Sequence, residues 1–415
     1  MKRLPLAAVG IAAVGALALT ACTTPDAGDG TADPVTITYT NFISNGGNED
    51  NLATIVEAFE DANPGIKVDV TTLPYGDYFT ALQTDLTAGT QSDVFDIEFA
   101  NYAEFQANGV LAPITASDPA GYRPSVLEAY QTDGTQYALP SSFSDVVLYY
   151  NKDLFDAAGL DYPSSDWTWA DEKAAAEKIT DQAAGVWGDH QPVSFHEFYK
   201  VLAQNGASFL NADGTAVAFN TPAGIEAAKW LVEKSGTVMP TIEQGQGTPD
   251  FDTNLFKEGK LGMLHTGIWV FGAVADVPFG WDIAVEPGNT HAASAVFSNA
   301  VGVSANSAHI AEATKWAEFL TSSDTMIDVR LDNGWELPAI SDQAKLATYL
   351  EKGDPANRQA VFDALDGIAL PPVVSQGQTE MQDIITEELV EAQAGRKTVE
   401  DALASAEERI NAVIG

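Results

Sequence analysis

The sequence predicts an α/β fold built as two lobes. Two observations carry this. Apolar residues fall at period two and then at helical spacing in repeated succession, the pattern of strands alternating with helices. The chain has 415 residues; a short leader and tether leave about 380, more than one hydrophobic core ordinarily organises.

The leader comes first. Lys2 and Arg3 precede an apolar run from Leu4 to Leu19, and Leu19-Thr20-Ala21-Cys22 closes it with the only cysteine of the chain. That run is shorter than the roughly 20 residues a membrane-spanning helix needs, so residues 1–21 read as a segment to be removed. The segment resembles a bacterial lipoprotein signal with its lipobox. The resemblance implies cleavage before Cys22 and acylation of its thiol, a lipid anchor that holds the protein to a membrane without crossing it. Each buried methylene contributes about 0.8 kcal/mol, and two chains suffice for a stable hold. The alternative is a plain secretory signal followed by a buried cysteine. Residues 22–34 then form a tether; from Thr23 to Pro34 there is almost no apolar side chain to pack, and the stretch reaches on the order of 40 Å.

The folded part opens near Val35. Val35, Ile37 and Tyr39 alternate with polar residues as a strand, a Gly/Asn-rich loop runs from Asn41 to Glu49, and Leu52, Ile55, Val56 and Phe59 lie at helical spacing until Asn63-Pro64-Gly65 stops the helix. Ile66, Val68 and Val70 alternate again; Tyr78, Leu82 and Leu86 mark a second helix ended by Gly89; Val94 to Phe99 is a nearly continuous apolar strand. This is a βαβαβ unit with a parallel sheet, whose ligands bind outside the carboxyl ends of the strands. A second unit begins at Tyr137-Ala138-Leu139-Pro140 and continues through a strand from Val146 to Tyr150. Thr168 caps a helix from Trp169 to Ile179, with Asp171 completing a capping box. Helices follow at Phe198 to Gln204 and Pro222 to Lys234, strands at Gly259 to Leu264, Trp281 to Val285 and Val301 to Ser304, a helix at Ala311 to Leu320, and a helical tail from Glu380 to Ile414.

Composition narrows the function. The formal net charge is −39, and losing Lys2 and Arg3 with the leader deepens it by two. Such a field repels nucleic acid, phosphate esters and anionic sugars. With Cys22 acylated, no disulfide can form within the chain, so stability rests on packing.

The order of certain segments is informative: Ala58-Phe59-Glu60 with Asn63-Pro64-Gly65-Ile66-Lys67-Val68, Asn108-Gly109-Val110-Leu111-Ala112-Pro113-Ile114, Tyr149-Tyr150-Asn151-Lys152-Asp153-Leu154-Phe155 with Ala158-Gly159-Leu160, Thr168-Trp169, Phe256-Lys257-Glu258-Gly259-Lys260-Leu261-Gly262-Met263, and a terminal helix from Gly395 to Asn411 entered through Thr398-Val399-Glu400. Behind a lipobox, over nearly the whole mature chain, this succession resembles the maltose-binding-protein-like, carbohydrate-binding branch of the extracellular solute-binding proteins of ATP-driven importers. The resemblance implies two α/β lobes joined by three crossovers, placed near Leu139 to Ser144, Val285 to Asn289 and Gly334 to Ala339. Residues 35–141 plus 289–332 then form the first lobe, and 142–288 plus 333–415 the second. A neutral oligosaccharide would sit between them, the lobes would close on it as a hinge, and the permease subunits of an ABC importer would receive it from a monomer, outside the cell or in a periplasm, with no cofactor.

A neutral sugar offers apolar C–H faces and many hydroxyls, so its site needs aromatic surfaces beside carboxylates, amides and hydroxyls. In Phe42-Ile43-Ser44-Asn45, after the first strand, the family places contacts; Phe42, Ser44 and Asn45 are candidates, Phe42 with a core-capping alternative. Glu98, Phe99 and Asn101 end the third strand. Phe143 and Asp145 lie at the first crossover, where Asp145 is alternatively a hinge or cap residue. Trp269 matches a position where the family often carries a sugar-stacking tryptophan, against a core role. Trp335 and Glu336 lie on the last crossover, and Tyr75, Phe195 and His196 complete the set. Trp167 and Trp169 flank a helix cap and are structural.

Catalytic and metal motifs are absent from the sequence. His196-Glu197 lacks the second histidine of a zinc-protease helix, Gly259-Lys260 lacks the rest of a phosphate-binding loop, there is no Gly-x-Ser-x-Gly, and Asn211-Ala212-Asp213-Gly214 is a turn rather than a calcium loop. Two alternatives stay open: a lipid-anchored glycoside hydrolase with paired carboxylates, and the same fold taking a peptide, polyamine or sugar phosphate.

Overall fold

The computed structural model describes residues 34–43 and 48–414, the side chain of Gln343 aside. The leader, Cys22, Ser44 and Asn45 lie outside the described residues. The βαβαβ unit forms as the periodicity predicts: β1 (Val35–Asn41), α1 (Glu49–Ala62), β2 (Ile66–Thr72), α2 (Tyr75–Ala88) and β3 (Val94–Glu98), with β1 parallel to both β2 and β3. α3 (Phe99–Ala107), α4 (Pro124–Glu128) and the short hairpin β4 (Gln131–Thr132) to β5 (Thr135–Gln136) lead into β6 (Ala138–Asn151), which is buried along its whole length.

The middle of the chain is largely helical: α5 (Lys152–Ala158), α6 (Trp169–Ile179), α7 (Phe195–Gln204), α8 (Pro222–Val232), α9 (Ile242–Gly245) and α10 (Phe251–Lys257). The capping box at α6 is formed as expected, Thr168 N–H donating to Asp171 Oδ2 at 2.9 Å. β7 (Met263–Gly267), α11 (Phe271–Val274), β8 (Trp281–Ala284), β9 (Ser294–Val303), α12 (Ile310–Ser322), α13 (Asp324–Asp332), β10 (Leu337–Pro338), α14 (Gln343–Leu350), α15 (Gln359–Asp363) and β11 (Ile368–Ala369) follow. The helical tail is two helices, α16 (Gln378–Gln393) and α17 (Val399–Ile414); Gly395 at φ 68 turns the chain between them.

Two long strands organise the whole. The first half of β6 pairs antiparallel with β9 up to Asp145↔Val296, and from Val146↔Gly267 the second half pairs with β7 and then β8. β9 is longer than the Val301–Ser304 strand expected: it pairs with β3 at one end and with β11 at Ser294 and Ala295 at the other. Among the named strands, parallel pairing occurs in β1–β2, β1–β3 and β9–β11, while β7 and β8 both pair antiparallel with β6; isolated parallel bridges join Trp187 to Leu261, Thr168 to Gly288 and Ser235 to Met239. Small residues in β9 (Ser294, Ala295, Ala300, Gly302) mask its alternation in the sequence. Gly302 is needed there, since a Cβ would stand 2.5 Å from Ile97 Cδ1.

Aromatic side chains fasten helices to these sheets. Tyr39 of β1 and Phe59 of α1 meet Trp316 of α12 edge-on, with ring centroids 5.6 and 5.1 Å away, and all three are essentially fully buried. Each such side chain contributes about 1.5–3 kcal/mol through burial. Phe198, Phe209 and Phe219 make a second cluster beneath α7, joined by Leu389 of α16 and Leu403 of α17.

Candidate functional site

A cleft of about 640 Å³ opens where the carboxyl ends of β1 and β3 face the turn after β7 and the start of α7. β3 is buried throughout and carries Glu98 as its last residue, in register with Asn299 of β9, so both reach the cleft together. Phe42 and Ile43 follow β1, and Asn41 holds that corner by accepting a hydrogen bond from Ile43 N–H at 3.2 Å. The Phe42 ring packs edge-on to Tyr75 and Tyr78 at 5.5 and 5.0 Å.

Tyr75, the first residue of α2, donates its hydroxyl to Glu98 at 3.0 Å and lies 3.5 Å from His196 Nε2. His196 comes from the opposite wall, in the first turn of α7, where Ser194 caps the helix by accepting from Glu197 N–H, and its Nε2 is 3.6 Å from the second oxygen of Glu98. Burial and the Glu98 carboxylate push the Tyr75 phenol well above its ordinary range, so it remains a donor. Trp269 stands on a single 3₁₀ turn after β7 and meets Phe297 of β9 edge-on at 5.4 Å. Trp335 closes the wall; the Arg330 guanidinium lies 4.1 Å over its ring, and the neighbouring Glu336 accepts from Asn299 and Arg330. The rim near α10 adds Asp250, Asp252 and Lys257.

Aromatic rings interleaved with buried hydrogen-bonding groups mark this as a ligand cleft, and comparison with known proteins gives its family. A model of the bacterial extracellular solute-binding protein family matches residues 45–327. The chain belongs to that family. An ABC substrate-binding protein of Listeria monocytogenes, solved in complex with cycloalternan, is 40 % identical with a TM-score of 0.86, over 92 % of this chain and 99 % of that one. A cyclic alpha-maltosyl-1,6-maltose binding protein of Arthrobacter globiformis is 26 % identical with a TM-score of 0.67, over 91 % and 98 % of the two chains. An arabinooligosaccharide-binding protein of Bacillus subtilis is 22 % identical over 250 residues, 58 % of this chain and 57 % of that protein. Such relatives are binding proteins, and the family is exported; this chain is accordingly a two-lobed solute-binding protein of an ABC importer.

Of the residues expected at the site, this solute-binding protein brings Phe42, Tyr75, Glu98, His196, Trp269, Trp335 and Glu336 onto the cleft wall. Five others stand away from it. Phe99 packs edge-on to Tyr130, and Asn101 is buried against Thr379 of α16, to which it donates at 3.3 Å. Phe143 and Asp145 alternate along β6 with Ser142 and Ser144, so they point to the opposite face, where the Arg123 guanidinium covers the Phe143 ring. Asp145 is 1 % exposed and neither carboxyl oxygen has a protein partner; burial, with Glu286 nearby, pushes its pKa well up. Phe195 turns inward to Tyr199 and Phe209. Sequence reasoning missed Phe297, Asn299, His265, Thr266, Asp250 and Asp252. The run Phe297-Ser298-Asn299 repeats the aromatic-beside-polar signal of Phe42-Ile43-Ser44-Asn45 and was open to the same argument.

Behind the cleft of this solute-binding protein lies a buried ion network. Lys234 donates to Glu172, Asp189 and Gln191 at 2.5, 2.7 and 2.6 Å, and Lys200 reaches Glu197 and Glu286 at 2.7 and 2.6 Å. His265, which also lines the cleft, has Nδ1 2.9 Å from Glu286 and Nε2 3.2 Å from both Glu172 and Asp189. Burial alone would lower its pKa, but the three carboxylates outweigh burial and hold it well above the ordinary histidine value. Burial likewise opposes ionisation of Glu286, yet His265 and Lys200 bring it down to about 2. Glu172, Asp189 and His265 are close enough to gather round a metal ion; the Lys234 ammonium already supplies a cation to both carboxylates.

Proposed function

We propose that this protein captures a neutral oligosaccharide in the cleft and passes it unaltered to an ABC-type permease. One observation carries the reading. The rings of Phe42, Tyr75, Trp269, Phe297 and Trp335 share the wall with Glu98, Glu336, Asn299 and Thr266, a pairing of apolar faces with acceptors and donors that suits a sugar's two surfaces. Among the described residues Lys257 is the one lysine on that wall, which disfavours phosphate esters, and the cycloalternan complex of the 40 % identical Listeria protein supports a glucan-like ligand.

In this reading the lobes divide near residues 141 and 332, and the middle crossing is assigned to β9 in place of the bend at Val285 to Asn289. Closure follows from ligand contacts made to both walls at once, since a ligand shifts an equilibrium only by its extra affinity for one state. The protein acts as a monomer held to the membrane by acylated Cys22.

A thermal-shift screen against neutral oligosaccharides, amino acids, polyamines and sugar phosphates tests the reading, because a ligand in excess raises Tm by mass action. A rise with neutral oligosaccharides alone is expected, and mass spectrometry after overnight incubation should return the glycan intact. A response to polyamines or sugar phosphates only, or release of shorter glycans, overturns it.

A further inference from the structure

The three segments that cross between the lobes meet at one point. In the ladder β10–β6–β9, Pro338 pairs with Ser142 and Ser142 pairs with Asn299, so the crossings form a three-stranded ribbon. β6 carries a register shift between Pro140 and Ser142, the kind of irregularity at which a strand bends. Two residues beyond Ser142, β6 reaches Ser144 and then exchanges β9 for β7.

The Glu336 carboxylate ties this ribbon together. One oxygen accepts from Ser142 Oγ at 2.5 Å and from Arg330 Nη1 at 3.3 Å; the other accepts from Asn299 Nδ2 at 3.0 Å and from Ser144 Oγ at 3.5 Å. A carboxylate offers about four acceptor positions, and all are taken. Glu336 also lines the cleft, while Ser142, Ser144 and Arg330 do not. Among the described residues it is the carboxylate that faces the cleft, stands on one crossing segment and bonds to the other two.

We infer that Glu336 couples ligand occupancy to the hinge: a ligand hydroxyl that reaches it must displace a ribbon bond, and the long one from Ser144, at the point where β6 changes partner, yields first. Arg330 is a positioning residue in this scheme, holding Glu336 through its Nη1 and Trp335 through its guanidinium face. The coupling deepens the proposed capture function and rests on it for the identity of the ligand.

The test uses the full chain with Cys22→Ser, nitroxide labels at Thr87→Cys and Asp213→Cys, both exposed, and cycloalternan as the probe. Double electron–electron resonance reads the distance with and without the probe, alongside Tm. In the otherwise unmodified protein the probe raises Tm and shifts the distance. Glu336→Gln and Ser144→Ala should each cut that shift at least twofold and broaden the probe-free distribution, with Ser144→Ala still showing a probe-dependent rise in Tm. Glu258→Gln, an exposed carboxylate off both the cleft and the ribbon, should leave the probe-free width unchanged. Arg330→Met should behave as Glu336→Gln, with partial rescue by Arg330→Lys. A full probe-dependent shift in both Glu336→Gln and Ser144→Ala overturns the coupling while the glycan reading stands. If the parent protein does not respond to cycloalternan, that ligand choice fails by itself; probe-free distributions no broader in Glu336→Gln and Ser144→Ala than in Glu258→Gln then overturn the coupling.

Discussion

Gly267 gives direct control over the position of Trp269. It ends β7 with φ −90, a backbone conformation open to alanine, and its carbonyl accepts from the Tyr149 hydroxyl at 2.7 Å. A Cβ added there would stand 1.9, 2.2 and 2.3 Å from three atoms of the Trp269 ring, whereas ordinary contact begins near 3.4 Å. Gly267→Ala must therefore push the ring back by about 1.5 Å, the gap between 1.9 and 3.4 Å. Trp269 is only half-buried, so the ring can yield toward the cleft. If about 100 Å² of stacked ring face is lost at about 25 cal/mol per Å², binding weakens by about 2.5 kcal/mol, roughly 70-fold in Kd. Calorimetric titration with the glycan found by the thermal screen measures this directly. Tm should fall by less than about 4 °C, because the rest of the indole packing survives. Trp269→Ala should weaken binding in the same direction. Unchanged affinity in both variants would refute the stacking role, and lost stability without lost affinity would move Trp269 to the core.

Other consequences follow from the buried charges and the leader. Burial raises Asp96 to about 7, despite the Tyr39 hydrogen bond and nearby Arg330, which lower it. An acid whose folded pKa exceeds its unfolded value stabilises least at high pH, so Asp96 withdraws about 4 kcal/mol of stability as pH rises from about 4 to 7. Asp96→Asn should flatten that part of the curve in urea melts at pH 4.5, 6 and 7.5, and an unchanged slope counts against it. Glu286, held to about 2, has the opposite sign: its contribution is present above its unfolded pKa and disappears as pH falls toward 2. Lys234→Met takes the ammonium away from Glu172 and Asp189, leaving His265 alone against the buried carboxylates, and should cost about 3–5 kcal/mol in denaturant unfolding; a loss below about 1 kcal/mol refutes the role given to the network. Cys22→Ser should move the protein from the membrane pellet to the soluble fraction, and retention in the pellet would exclude the lipid anchor.

Local chemistry accounts for what could be read ahead of the structure. The strands and helices of the first βαβαβ unit and the Thr168 capping box rest on spacing among residues a few positions apart, and they appear where the periodicity put them, although β3 runs directly into α3 at Phe99. Alternation along β6 was equally legible, but which face would meet the cleft was not: Phe143 and Asp145 carried the aromatic-plus-carboxylate signal, and Ser142 and Ser144 hold the ribbon. Phe195 and Phe99 failed as cleft residues for a similar reason, since the first residue of a helix can turn its ring inward or outward with no change in spacing.

From the sequence alone come the α/β class, the two-lobed solute-binding design, and seven of the residues now found on the cleft wall. The tertiary structure decided the rest. It set β9 between β3 and β6, so that Phe297 and Asn299 face Glu98 from about 200 residues away. It buried three cations and their carboxylates behind the cleft, and it gathered Ser142, Asn299 and Arg330 onto Glu336. Periodicity reports which side of an element is apolar; which elements that side will meet depends on long-range pairing, and only the folded chain supplies it.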